Sequence, residues 1–224
     1  MTEPVGVGGG AADHRDDIAA ELRGLVLAML LAGLAGIVDA IGYLHLNGLF
    51  VSFMSGNSTQ LAVALGQGSL AQVGAIAELI ALFVLGAAAG QALAEFTGRW
   101  HMTWVLIGVA ILLALAAIAG AAAEPMVFAM GAINAAMRRA GNIPVSLTFV
   151  TETLVRLGQG LGDFLVRRAG GWTWSAQATP WLGMVAGATI GGIAYMQFGE
   201  AATWVPVSLA GFLAACSAAI SQPD

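Results

Sequence analysis

The sequence predicts an all-α polytopic membrane protein, with about six transmembrane helices plus two broken or re-entrant segments arranged as two inverted repeats. Three observations predict it. Hydrophobic residues make up 58% of the 224 and charged residues only 9%, with a mean hydropathy of +0.84, far from the range of soluble globular chains. The apolar residues fall in runs that can cross a hydrocarbon core about 30 Å thick at about 1.5 Å per residue. Motifs of the first half return, in order, in the second.

Residues 1–23 are Gly-rich and then charged, with Asp13, His14, Arg15, Asp16, Asp17, Glu21 and Arg23 close together. This reads as a disordered arm leading into a helix start. Without a basic region ahead of a short apolar core, the first apolar run reads as a retained span rather than a signal peptide. The rest, 24–224, is expected to form a single transmembrane domain, repeat one over about 24–123 and repeat two over about 125–220. Eight apolar segments are visible at about 24–46, 50–66, 73–96, 103–123, 125–139, 145–166, 179–198 and 202–220. The second is polar in its middle, from Ser55 to Gln60, and the sixth carries Thr148, Thr151, Glu152, Thr153 and Arg156. These two read as broken or re-entrant.

Arginine placement chooses the topology. Eight crossings with a cytoplasmic N-terminus would put Arg99, Arg138 and Arg139 outside, against the positive-inside tendency. If the second and sixth segments dip in and return, six helices cross. Then Arg15, Arg23, Arg99, Arg138, Arg139, Arg167 and Arg168 all lie on the cytoplasmic side, with Glu124 and Glu200 outside. The chain is therefore expected to be multi-pass, with both termini cytoplasmic.

The repeat is read from four matches. Gly36-Ile37-Val38-Asp39-Ala40 resembles Gly131-Ala132-Ile133-Asn134-Ala135, and Phe53 to Asn57 resembles Phe149 to Thr153. Leu65 to Gly68 matches Leu157 to Gly160 if about one helical turn is missing from the second copy. Gly86, Gly90 and Ala94 match Gly183, Gly187 and Gly191. Three crossings per repeat inverts the halves about an axis in the membrane plane, the architecture of many secondary transporters. The glycine faces are expected to pack the repeats together rather than build a dimer; a homo-oligomer is allowed but not implied.

Within hydrocarbon an interrupted helix survives only where protein or a wet cavity satisfies its backbone. If a half-helix begins near Ser55 to Ser58, with Asn57 or Ser58 as its cap, its positive end points inward and attracts an anion or the negative end of a polar solute. Gly56 would let a ligand approach the backbone. Thr59 and Gln60 complete the polar run. The plain alternative is interhelical hydrogen bonding. Asp39 lies inside the first span, and intramembrane acids are functional candidates by default: it can bind a coupling cation, carry a proton, neutralise an arginine, or be held by neighbouring hydroxyls. Asn134, its counterpart, can donate and accept but cannot titrate. Glu152 and Arg156 stand four apart in the favourable helical order for an ion pair, and Arg156 could hold an anionic solute if Glu152 turned away. The candidate substrate-binding residues are thus Asp39, Ser55, Gly56, Asn57, Ser58, Thr59, Gln60, Asn134, Thr148, Thr151, Thr153 and Arg156.

Other classes find less support. No Gly-x-Ser-x-Gly nucleophile, histidine pair at metal spacing or phosphate loop is present, so no enzyme, metal or cofactor is expected. The net charge of −5 is scattered, and nucleic acid is not expected as a partner. Cys216 stands alone in an apolar run.

Gly36-x-x-Asp39-Ala40 followed by Phe50-Val51-Ser52-x-Met54-Ser55-Gly56-Asn57-Ser58, and later Gly131-x-x-Asn134-Ala135 followed by Thr148-x-x-Thr151-x-Thr153-Leu154, resemble the YoaK-like family of bacterial membrane proteins, domain of unknown function 1275. The resemblance covers the chain after residue 23. It implies a six-helix bacterial inner-membrane protein and supplies no substrate. Where the family pattern has glycine between the two threonines, this chain has Glu152, which works against close backbone approach there unless Arg156 holds the acid aside. The residues point first to a secondary transporter or permease for a small polar or anionic solute, proton-coupled through Asp39. The partners are then the lipid bilayer and that solute. A non-transporting membrane scaffold or sensor, or a channel, are the alternatives.

Overall fold

A computed structural model describes residues 10–137, 150–166 and 178–220. All its described elements are helical: α1 (Gly10–His45), α2 (Met54–Gly66), α3 (Leu70–Thr97), α4 (His101–Ile118), α5 (Ala123–Met137), α6 (Val150–Leu165), α7 (Thr179–Phe198) and α8 (Trp204–Ile220). Short 3-10 turns, Gly98–Trp100 and Gly199–Thr203, join α3 to α4 and α7 to α8. The charged stretch read above as an arm is already helical from Gly10; its Ala, Leu, Glu and Arg residues are good helix formers.

Three helical stretches are long and apolar enough to cross a membrane: Leu22–His45, Leu70–Ile118 and Thr179–Ile220. The second and third each turn at a left-handed glycine, Gly98 (φ 52°) and Gly199 (φ 56°), a conformation that costs glycine nothing. They therefore supply two helices apiece, and α5 is the sixth. At 15 residues α5 is about 23 Å long, and its Met126, Val127, Ala129, Met130 and Ile133 are fully buried against α3 and α4.

The connections show which helix ends share a face. At the end of α1, Leu46, Asn47 and Leu49 line one cleft with Gln72, Ala75 and Ile76 from the start of α3. Helix α2 has therefore not carried the chain across; it dips and returns. His45 Nδ1 meets the Tyr195 hydroxyl of α7 at 3.2 Å, and Glu200, just beyond α7, lies against Gly120 after α4. At the other face Thr103 Oγ1, from the start of α4, donates to Ser217 Oγ near the end of α8 at 3.0 Å. Six alternating crossings satisfy these contacts. Eight would put the ends of α4 and α7 on opposite faces.

Two seams of glycine bind the bundle. A Cβ on Gly183, Gly187 or Gly191 of α7 would overlap the backbone of Met29, Gly33 or Ile37 of α1 respectively. The numbers rise together, so α1 and α7 run parallel. In the second seam a Cβ on Gly86 or Gly90 of α3 would overlap Phe128 or Ala132 of α5, and one on Gly131 would overlap Phe83; α3 and α5 are parallel too. Lipid supplies little hydrophobic drive between helices, so backbone approach of this kind supplies dispersion contact instead. Around both seams lies one core of Leu31, Leu34, Val38, Leu106, Leu113, Met126, Met130, Ile133 and Leu213.

The segment expected to be interrupted at 145–166 contains the continuous helix α6. Its Glu152, Arg156, Gln159 and Asp163 are spaced four, three and four apart and form one polar stripe instead of a break. Leu154, Val155, Leu161 and Phe164 are exposed, and α6 packs on α7.

Candidate functional site

Between α1 and α2 the chain forms a strap, residues 46–53. Helix α1 stops because Asn47 (φ 53°) and Gly48 (φ 96°) turn left-handed, with Gly48 N–H returning to the Tyr43 carbonyl at 2.9 Å, the long bond of a Schellman cap. The strap then runs back over α1, where its backbone donors meet Asp39. Asp39 Oδ1 accepts from Val51 N–H (2.8 Å) and Ser52 N–H (2.6 Å), and Oδ2 from Ser52 Oγ (2.5 Å). Asp39 is 4% exposed and Ser52 2%. Three donors thus converge on one carboxyl group and tie the strap to α1.

Asn57 holds the strap from the other side. Its Oδ1 accepts from Phe50 N–H at 2.9 Å and its Nδ2 donates to the Phe50 carbonyl at 2.7 Å, so one fully buried amide satisfies both polar groups of one peptide residue. Gln60 Nε2 donates to the Gly48 carbonyl at 2.8 Å. Sequence reasoning grouped these three side chains but not their partners, which are mostly main-chain groups.

The expected helix end takes a different form. Helix α2 starts at Met54, with Phe53 as N-cap and no side-chain cap; Asn57 and Ser58 lie inside it rather than capping it. Gly56 N–H (3.1 Å) and Asn57 N–H (3.4 Å) both return to the Phe53 carbonyl. Ser58 and Thr59 are exposed and bond back to the carbonyls of Met54 (2.8 Å) and Ser55 (3.1 Å), which lets hydroxyls ride in a helix without breaking it. A Cβ on Gly56 would strike the rings of Phe53 and Phe50, so this glycine makes room for those aromatics, not for a ligand.

The remaining candidates lie elsewhere. Asn134, in α5, donates Nδ2 to the Met130 carbonyl at 2.8 Å, and its Oδ1 is buried without a hydrogen-bond partner among the described residues. On α6, Arg156 Nε and Nη2 donate to Glu152 Oε1 at 3.0 and 2.6 Å, a half-exposed i,i+4 pair. Thr151 is exposed on the same helix and Thr153 is half-buried. Thr148 lies outside the described residues. The main packing partner of α2 is α3 and that of α6 is α7, so each short helix lies on the long helix that follows it and the two halves of the expected site do not form one cluster.

Two clefts adjoin the strap. One, of about 380 Å³, lies between the strap, α2 and α3 and holds Asn47, Thr59, Gln60, Gln67 and Gln72. The other, of about 540 Å³, opens between the strap, α1 and α7 and is lined by Asp39, Ala40, Tyr43, Leu44, Phe50, Phe53, Met184 and Ala188. Tyr43, Phe53, Met184 and Ala188 are not among the binding candidates read from the sequence. The signal for the α1 residues was present: Ala40, Tyr43 and Leu44 lie one, four and five residues past Asp39 and flank it on one side of the helix.

The fold and the strap together define a small polytopic α-helical membrane protein with a buried acid lining a cleft between α1, α7 and the strap. The chain matches the family model described as "Protein of unknown function (DUF1275)" over residues 27–216. It is 42% identical over 201 residues to UPF0700 transmembrane protein RA0705 of Rhizobium meliloti (strain 1021), covering 87% of this chain and 86% of that protein. The chain belongs to the DUF1275 family of transmembrane proteins. No solved structure matches it.

Proposed function

We propose that this protein is a secondary transporter or permease for a small polar or anionic solute, built as two inverted repeats, with Asp39 as the coupling group. The observation that carries the reading is the doubled glycine seam. The first helix of each half runs parallel to the second spanning helix of the other, α1 with α7 and α5 with α3, and the two seams run in opposite directions across the bundle. A dipping helix after each first helix and a buried acid at a cleft match the way discontinuous elements frame transport sites in inverted-repeat carriers.

The same reading puts the protein in a bacterial inner membrane. The face that carries Arg23, Arg99 and the ends of α3 and α8 would be cytoplasmic, and the face with Glu124 and Glu200 external. In a Cys216→Ser background, a cysteine at Ser69 is expected to label from outside the cell. Labelling only from the cytoplasm would overturn this orientation.

Reconstituted in liposomes, the protein is expected to support solute flux that falls at least tenfold in Asp39→Asn and in Asn57→Ala. Equal flux in wild type and both variants would remove these residues from the mechanism. A second reading, a non-transporting scaffold or sensor, is favoured by one specific observation: Asp39 accepts hydrogen bonds from the strap while Asn57 and Gln60 donate to it. Its signature is a bound solute without flux.

A further inference from the structure

We propose that the cleft between α1, α7 and the strap binds an organic ammonium ion, with its cationic nitrogen toward Asp39 and its apolar part on the aromatic wall. This rests on the transport reading and narrows its polar solute to a cationic class in place of an anion.

The first argument is charge. Asp39 is buried, and its three hydrogen bonds come from neutral donors. No arginine among the described residues forms an ion pair with it; Arg156 is paired with Glu152. Neutral dipoles leave room for a charged partner, and in a low-dielectric surround a cation beside a carboxyl group is attracted far more strongly than in water. A carboxylate has about four acceptor positions, so Oδ2, with one donor, can take another partner. At the start of α2, Met54 N–H returns to the Ser52 carbonyl and the Gly56 and Asn57 amides to that of Phe53, so these three donors are not free to draw an anion in its place.

The second argument is the wall. Tyr43 and Phe50 pack with ring centroids 5.0 Å apart and an interplanar angle of 38°. Phe50 and Phe53 stand edge to face at 5.2 Å and 83°. All three rings line the cleft together with Asp39, and ring faces attract cations, most strongly when desolvated. Met184 and Ala188 close the α7 side, and the small Ala188 leaves the space open. About 540 Å³ falls within the usual size of a small-molecule site.

The cleft lies close to the end of α1, where a soluble amine and the ammonium headgroup of a lipid can both reach it. The test uses benzyltrimethylammonium and benzenesulfonate, which share a phenyl ring and differ in charge sign. Calorimetric titration of the full chain in detergent is expected to show saturable binding of the ammonium, with no competition from the sulfonate. Asp39→Asn, which keeps an oxygen for Val51 and Ser52, should weaken binding at least tenfold. Tyr43→Leu alters a side chain on a residue 46% exposed, so the fold tolerates it, and should weaken binding about two- to fivefold, the scale of one cation–π contact.

In nanodiscs, phosphatidylcholine suppressing the titration while phosphatidylglycerol does not would identify a lipid headgroup as the occupant; equal titration in both would identify a soluble amine. Sulfonate binding as strong as ammonium, undiminished binding in a folded Asp39→Asn, or no ammonium binding by the folded wild type would overturn the proposal. Because the readout is binding, it separates from transport. Ammonium bound without flux removes the transport reading alone, and flux of another solute without ammonium binding removes this inference alone.

Discussion

Asp39→Ala is expected to lower the unfolding free energy by about 3–9 kcal/mol, because it leaves Val51 N–H, Ser52 N–H and the Ser52 hydroxyl buried without an acceptor at about 1–3 kcal/mol each. One opposing effect has to be weighed. Removing an acid from a span also removes its insertion cost, about 2.5–3.5 kcal/mol at the bilayer centre. That relief acts mainly outside the folded state, since separated, inserted helices would expose the carboxylate to lipid, whereas the fold supplies it with three donors. The loss of partners therefore decides the sign. Asp39→Asn should cost less than about 2 kcal/mol, because its oxygen still serves both amides and its NH2 can donate to the Ser52 hydroxyl. Thermal unfolding in detergent checks the order; an Ala variant that melts with the wild type would show that the strap is held by something else.

Gly187→Leu is expected to separate α1 from α7 and to cost more than about 3 kcal/mol, beyond the usual range for overpacking. Its Cβ would overlap the Gly33 carbonyl, backbone against backbone, and no rotamer change relieves that. The control lies in the same helix: a Cβ on Gly192 meets nothing within 4 Å. Gly192→Ala should therefore be neutral or stabilising by up to about 1 kcal/mol from helix propensity alone. The comparison is read from melting temperature and from the monodisperse fraction in size-exclusion chromatography. Equal behaviour of the two variants would mean that the seam does not hold the bundle.

Much of this fold was legible because lipid imposes a simple grammar. Spans must be apolar and helical, so α1, α3, α4, α7 and α8 stand out, and glycines four apart announce close faces. The partners of those faces were less legible, because a glycine carries no side chain to specify its opposite. Polar residues misled in two ways. In the sixth segment they were read as a broken or re-entrant element, and its described part is a short continuous helix with those residues in one stripe. Around Ser55 they were read as a free helix end although Ser58 and Thr59 bond to their own helix. Asp39 was recognisable as important from its burial in a span. Its partners were not, since the two amides it accepts from lie 12 and 13 residues away and backbone groups look the same at every position.

The glycine seams set distance more firmly than register. Glycines at 183, 187 and 191 meet α1 at Met29, Gly33 and Ile37, one contact per turn on each helix. A slide of one turn, about 5.4 Å, would bring Gly183 to the level of Gly33 and Gly187 to that of Ile37, a near repeat of the same fit. What distinguishes the observed alignment is its ends: the bond from His45 to Tyr195 and the strap, which ties α1 to α2 through Asp39 and Asn57. The seam acts as a rail, and the residues gathered around the strap set where along it the two helices rest.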